Sequence, residues 1–457
     1  MIGDLAALLP PGLFDAVEAA ASARIVAVRP RGGGGASREG AELTLADPDG
    51  ATVEAYMNYD VHRAGAGDDA AFLREAAILQ ALSGPLAGSG VRAARYIAAV
   101  PDLRALVTEK IAGDAQFNAV RETARRDAIA ADFMQQIALL HAVVVTTVTG
   151  LGTPRPVRDD IAERIAGTRA FNAAHGRSPL VQLALDWLAE NMPPEPERLV
   201  IVHGDAGAGN FLFEGNRVTA LLDWELVHIG DPMADMAMLC LRSLFQPLVA
   251  LPQAFAAYTV ASGRTVDIGR VRYWRLLFQT GFAGRSRFDD LDAPPPPNLG
   301  MNMVYSMVHR RVLAEALAEA SGIDLASVAI PDAPEGANAR SFAIALDDLR
   351  QTIVPRLTDE QAAVKAKGLA RLIKWWRSTE RCGPALAAAE LAELSDALGQ
   401  GFATLAQARD ALRDAVFAGA IDRTLAIGLC HARAVRDTAL MADAMGGLAD
   451  THFAPLE

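Results

Sequence analysis

Apolar and polar positions alternate in short runs through the first quarter of the chain. Residues 24–28, 41–45, 52–57, 95–100 and 106–111 read as strands. Asp47-Pro48-Asp49-Gly50 is a strong turn between the second and third. Ahead of them, 5–23 reads as a helix broken at Pro10-Pro11. Over 69–82 the spacing becomes helical, with Phe72, Ala76, Leu79 and Leu82 on one face. Further helices are predicted over 127–145, 161–171 and 181–191, the last closed by Met192-Pro193-Pro194. An apolar run, 199–202, then ends in His203-Gly204-Asp205. Residues 211–213 and 218–222 flank Glu214-Gly215-Asn216 and read as a β-hairpin. Helices follow over 234–245, 253–262, 271–282 and 302–320. The stretch 321–337 carries Gly322, Pro331, Pro334 and Gly336 and marks the main boundary. Beyond it the pattern predicts four or five helices. Thr358-x-x-Gln361 opens one as a capping box, and others cover 385–398, 402–417 and 421–444. Leu369, Leu372, Ile373 and Trp376 recur at helical spacing, and Trp375-Trp376 is expected to pack in a core.

The chemistry concentrates at 199–235. Asp205 ends one strand, Asn210 follows by five residues, and Asp223 lies at the far end of the hairpin. The layout brings two carboxylates and a carboxamide towards one end of a small sheet. Hard oxygen ligands in that number suit Mg²⁺, which keeps room for substrate phosphates. The same spacing serves phosphoryl transfer, with one Asp on the acceptor hydroxyl and an Asn and a second Asp on metal.

The pattern H-G-D-x-x-x-x-N followed by Asp223-Trp224-Glu225 resembles the aminoglycoside phosphotransferase family. That family includes choline-kinase-like and hydroxyacyl-kinase-like members and shares its architecture with protein kinases. Gly230-Asp231-Pro232 and Asp235 agree with it. The resemblance implies an α+β, bilobal, protein-kinase-like phosphotransferase fold followed by an all-α domain. It implies a nucleotide-binding lobe over 1–111, a catalytic lobe over 112–320, a linker over 321–337 and a helical accessory domain over 338–457. ATP and Mg²⁺ are the implied cofactors. Asp205 would orient or deprotonate an acceptor hydroxyl, with His203 grouped beside it as the residue fixing the loop. Asn210 and Asp223 would hold the metal. A glycine-rich turn with Gly33, Gly34, Gly35 and Ser37 would cradle phosphates. Glu75 would be the helix glutamate that pairs with a strand cation. The backbone at Glu109 and Ile111 would hold the adenine edge. Glu225 would support the metal or contact substrate. His141, in Leu139-Leu140-His141, reads as a packed structural histidine.

One departure leaves two functions open. The third strand reads TVEAYMNYD and has no cation, and no lysine precedes Lys110. Arg38 or Arg63 would have to reach the phosphates instead, or no cation does. The first reading is an ATP-dependent small-molecule kinase. The alternative is a nucleotide-binding pseudokinase acting as an interaction module. The acceptor of a kinase would be an antibiotic hydroxyl or a metabolite such as a hydroxyacyl or amino-alcohol compound, and the metabolic role is favoured.

Composition narrows the partners. The chain has 457 residues, 51% hydrophobic, and a net charge of -12, which argues against a general nucleic-acid-binding surface. Cys240, Cys382 and Cys430 are far apart and read as free thiols of a reducing compartment. The first residues lack the basic start of a secretory signal. Residues 243–263 carry no charge, but Pro247 and Pro252 interrupt them, so no membrane span is expected. The expected setting is the cytoplasm. The acidic, proline-rich stretch 289–297 reads as a solvated connector. Dimerisation or protein docking through the C-terminal helices stays open.

Overall fold

The computed structural model describes residues 5–31, 38–60, 69–285 and 296–456. Strands β1 (Arg24–Arg31), β2 (Glu39–Ala46), β3 (Thr52–Tyr59), β4 (Tyr96–Val100) and β5 (Ala105–Glu109) form one antiparallel sheet in the order β1-β2-β3-β5-β4. The period-two pattern decides which face is covered. Ala55, Met57 and Tyr59 of β3 are buried with Leu43, Leu45 and Val107, and helix α1 (Leu13–Ala21) packs Leu13 and Val17 on them. Asp47 Oδ1 accepts the amides of Asp49 and Ala51 and closes the β2–β3 turn. Helix α2 (Asp69–Ser83) buries Phe72, Ile78, Leu79 and Leu82, and with them Glu75.

Helices α3 (Thr123–Ala142), α4 (Val157–Ala174) and α5 (Pro179–Glu190) precede the catalytic stretch. There β6 (Val200–Val202) pairs with β9 (His228–Gly230), and β7 (Phe211–Glu214) with β8 (Arg217–Leu221) across a Gly215-Asn216 turn. Then come α6 (Met233–Ser243), α7 (Leu251–Ser262), α8 (Ile268–Gly284) and α9 (Leu299–Ser321). The C-terminal part holds α10 (Ala339–Asp347), α11 (Glu360–Leu398), α12 (Leu405–Phe417) and α13 (Arg423–Met445). The fold is of the α+β class. Among the described residues no helix is long and apolar enough to cross a membrane.

The chain divides into two compact units at other places than 111 and 321–337. One comprises Met1–Val157, Glu195–Val271 and Leu456; the other comprises Arg158–Pro194, Arg272–Pro455 and Glu457. The first holds the sheet and the whole catalytic stretch. In the second, α11 and α13 pack on α9, and α12 and α13 on α5. Arg423 makes a bidentate pair with Glu190, and Arg311 donates to the carbonyls of Ala449 and Thr451. The helices after 338 are therefore grouped in one compact unit with 158–194 and 272–321.

Three local expectations also change. The N-cap of α11 is Asp359, whose Oδ1 accepts the Ala362 amide at 2.7 Å, in place of a Thr358 box. The helix also runs unbroken through Pro384 to Leu398. Trp376 is 44% exposed and not core.

Candidate active site

β6 delivers the chain to its sharpest constraint. Gly204 has φ of 86°, and a Cβ added there would lie 2.7 Å from Leu226 Cβ, so glycine is required between His203 and Asp205. Asp235, in the first turn of α6, is fully buried. Its carboxylate accepts the N–H groups of His203 and Gly204, each at 2.8 Å. His141 Nε2 lies 3.0 Å from the same carboxylate, and its Nδ1 lies 2.8 Å from the Tyr258 hydroxyl. Burial works to raise the Asp235 pKa, but the His141 hydrogen bond and charge and the loop amides hold it below the usual carboxylate range. His141 is thus packed and structural.

His203 is buried too, and burial pushes its pKa down. Its Nδ1 accepts the Asp205 amide at 3.3 Å, and its ring lies 4.8 Å from that of Trp224. It shapes the loop from behind, so its place is a positioning one.

The Asp205 side chain is gripped on one oxygen. Oδ2 accepts Asn210 Nδ2 at 2.6 Å and Arg242 Nη1 at 2.9 Å. Asn210 Nδ2 also bonds the Asp205 carbonyl at 2.8 Å. Arg242 Nη2 reaches the Ala208 carbonyl at 3.0 Å and Asn210 Oδ1 at 3.3 Å.

Asp223 follows β8 in the left-handed region, φ 63° and ψ 65°, a strained conformation for a residue other than glycine. The residue as a whole is exposed. Even so, surrounding protein first, and then the charges of Glu225 and Asp205, push its pKa up to about 6. Negative charge is crowded there, with Arg38 and Arg242 as the opposing cations.

Arg38 stands at the entry to β2. Its Nη1 lies 2.6 Å from Glu75 Oε2, an ion pair without a well-angled hydrogen bond, and its Nη2 lies 3.4 Å from Glu225 Oε2. Burial raises the Glu75 pKa, and Arg38 opposes the rise. Arg38, Phe72, Arg104 and Glu225 line a cavity of about 250 Å³. The helix glutamate thus has a cation, supplied from the residue just before β2 and not from β3. Lys110, the first lysine of the chain, pairs with Glu42 at 3.1 Å.

Glu109 closes β5. Its amide bonds the Arg95 carbonyl at 2.8 Å and its carboxylate the Arg95 Nε at 2.7 Å. Ile111 follows the strand end, just before Gly113, whose φ is 147°. Neither is bonded to the Asp205 cluster among the described residues. Gly33, Gly34, Gly35 and Ser37 lie outside the described residues, as do Arg63 and most of the 289–297 stretch.

The site contains two residues that the motif reading passed over in their roles. Asp235 reads in the sequence as a match to the pattern, not as the anchor of the loop. Arg242 carried one readable signal: it falls seven residues after Asp235, two helical turns on and on the same face.

A family comparison covers this same stretch. Residues 59–274 match the model of the phosphotransferase enzyme family. This segment is a phosphotransferase-family domain. Acyl-CoA dehydrogenase family member 10 of Mus musculus is 35% identical over 124 residues, 26% of this chain and 11% of that protein. Acyl-CoA dehydrogenase family member 11 of Gallus gallus is 42% identical over 67 residues, 14% of this chain and 9% of that protein. The matches thus span a small part of those relatives. Among solved structures, the macrolide 2'-phosphotransferase MphH of Brachybacterium faecium is similar at 19% identity and a TM-score of 0.45, over 67% of this chain and 98% of that one.

Proposed function

We propose that the protein is an ATP-dependent phosphotransferase that moves the γ-phosphate to a hydroxyl of a small molecule. The observation that carries this reading is the Arg38–Glu75 pair beside Asp223. A missing cation was the one feature favouring a pseudokinase, and Arg38 supplies a cation to the expected glutamate.

The donor set fits Mg²⁺. Asp223 is a hard oxygen ligand in a surplus of negative charge, while the carboxamide oxygen of Asn210, the second expected ligand, lies 3.3 Å from Arg242 Nη2. No closed group of three or more His, Cys, Asp or Glu exists among the described residues, which suits an ion that binds through one or two carboxylates and substrate phosphates. When bound, Mg²⁺ would neutralise charge on the β- and γ-phosphates. Asp205 Oδ2 is held by two donors, which leaves Oδ1 to orient the acceptor hydroxyl and take its proton. With a largely dissociative transition state, that orientation matters more than base strength. Arg38 would contact the nucleotide phosphates and be kept in place by Glu75. The backbone at Glu109 and Ile111 is assigned to the adenine edge, and Gly33, Gly34, Gly35 and Ser37 to the phosphates.

The relatives are named acyl-CoA dehydrogenase family members, which favours a hydroxyl on an acyl thioester over an antibiotic hydroxyl. Three buried free thiols support a cytoplasmic setting. The test is a phosphate-transfer screen with ATP and Mg²⁺ over hydroxyacyl thioesters, choline analogues, aminoglycosides and macrolides. Transfer to a hydroxyacyl thioester is expected. Nucleotide binding without transfer to any acceptor would favour the interaction module.

A further inference from the structure

We infer that Arg242 is a resident cation of the transfer site, filling the place beside Asn210 that a second divalent ion would take, so that the protein works with one metal ion per nucleotide. The inference rests on the phosphotransferase reading and adds to it which cations neutralise the phosphates.

The geometry is built for the guanidinium. Arg242 sits in the last turn of α6 and places Nη1 on Asp205 Oδ2 and Nη2 on Asn210 Oδ1, at 2.9 and 3.3 Å. Nη2 is further fixed by the Ala208 carbonyl at 3.0 Å and Gln246 Oε1 at 3.2 Å. The loop is shaped to let it in. A Cβ at Gly207 would lie 2.7 Å from Arg242 Cβ. One at Gly209, whose φ is 94°, would lie 2.8 Å from Gln246 Oε1 and 3.3 Å from Arg242 Nη2. Both glycines are needed for the approach.

The consequence falls on Asn210. Its amide nitrogen is committed to Asp205 and its amide oxygen faces Arg242. A divalent ion on that oxygen would have to sit against a permanent positive charge. Asp223 differs: its neighbours are mostly carboxylates, and it stays open to a metal. One ion at Asp223 and one guanidinium at Asn210 together supply the positive charge that two ions would otherwise bring.

The test counts ions without turnover. Mn²⁺ bound to the full chain is titrated by electron paramagnetic resonance with saturating AMP-PNP, and nucleotide binding is followed by calorimetry. The wild type is expected to bind one Mn²⁺ per chain. Arg242→Ala is expected to bind a second, at least tenfold more tightly than the wild type does. Two ions in the wild type overturn the inference, and so does a single ion in a folded Arg242→Ala variant. If that variant does not fold, Arg242→Gln is counted in its place, and the wild-type number still decides the first point. Absence of nucleotide binding by the wild type would instead remove the phosphotransferase reading, and the inference with it.

Discussion

Arg38→Ala is the substitution that tests how the site manages without a third-strand cation. Glu75 is 4% exposed, and the change would leave its carboxylate buried without a counter-charge. Removing one partner of a buried pair costs about 3–5 kcal/mol. The Arg38 side chain is 17% exposed and lines a cavity, so water relieves part of that cost and the lower end, about 3 kcal/mol, is expected. Glu75 already has a raised pKa from burial, and loss of Arg38 raises it further. A carboxyl whose folded pKa lies above its unfolded value stabilises most below the unfolded value and loses that contribution as pH rises through the folded one. The deficit of the variant against the wild type should therefore be larger at pH 8 than at pH 5. The double variant Arg38→Ala, Glu75→Gln removes the buried charge and should recover most of the stability, but not the activity. In ATP-dependent turnover, loss of a preorganised cation at the phosphates should cost kcat/KM about 10²–10³-fold. Denaturation at the two pH values and steady-state kinetics are the assays, with Arg63→Ala as the companion variant expected to behave normally. Wild-type stability and ATP affinity in Arg38→Ala would refute the assignment of Arg38.

Asp205→Ala should abolish phosphate transfer and leave the circular dichroism spectrum unchanged; wild-type turnover by the folded variant would remove Asp205 from the mechanism. Asp223→Ala should weaken Mg²⁺-nucleotide binding more than Asp205→Ala does, because a ligand acts in the ground state and a base on the acceptor; equal affinities by calorimetry would contradict this. Asp235→Ala should destabilise the first unit by about 3–5 kcal/mol in urea denaturation, since it strips two buried amides and His141 of their acceptor; a midpoint within error of the wild type would show that the loop does not depend on this anchor.

What was legible in the sequence follows the range of the interactions concerned. The hairpin β7–β8 was readable because its turn is local and Gly215 takes φ of 58°. The five-stranded sheet was readable because alternation along each strand states which face is buried. Strand β9 was not: three residues, His228–Gly230, owe their extended form to pairing with β6 far upstream. The course of α11 through Pro384 was not readable either. Proline removes a donor and disfavours a helix interior by roughly 3 kcal/mol, so a break was the local expectation. Tertiary packing overrides it: Cys382, Leu386 and Leu394 are buried on either side of the proline, and Glu390 takes a bidentate pair from Arg409. The same distinction separates Arg38, which the absent lysine made a candidate, from Trp376, whose apolar character alone did not say that α11 leaves it exposed.

The site shows why a motif names ligands and bases more readily than it names what holds them. His203, Asp205, Asn210 and Asp223 sit in one short stretch because the loop and hairpin must present them together. Their supports come from a helix that begins three residues after β8's own sequel, Trp224–Leu226 and β9, has passed. Helix α6 does two jobs with residues two turns apart. Asp235, at its start, takes the amides of His203 and Gly204 and so fixes where the loop begins. Arg242, in its last turn, takes Asp205 and Asn210 and so fixes where the loop's side chains end up. A rise of 1.5 Å per residue sets these two grips about 10 Å apart along a rigid rod, a span that the loop must match. The five-residue spacing from Asp205 to Asn210, and the glycines at 207 and 209, are then consequences of bridging one helix face. Composition alone would have scored them as a flexible turn.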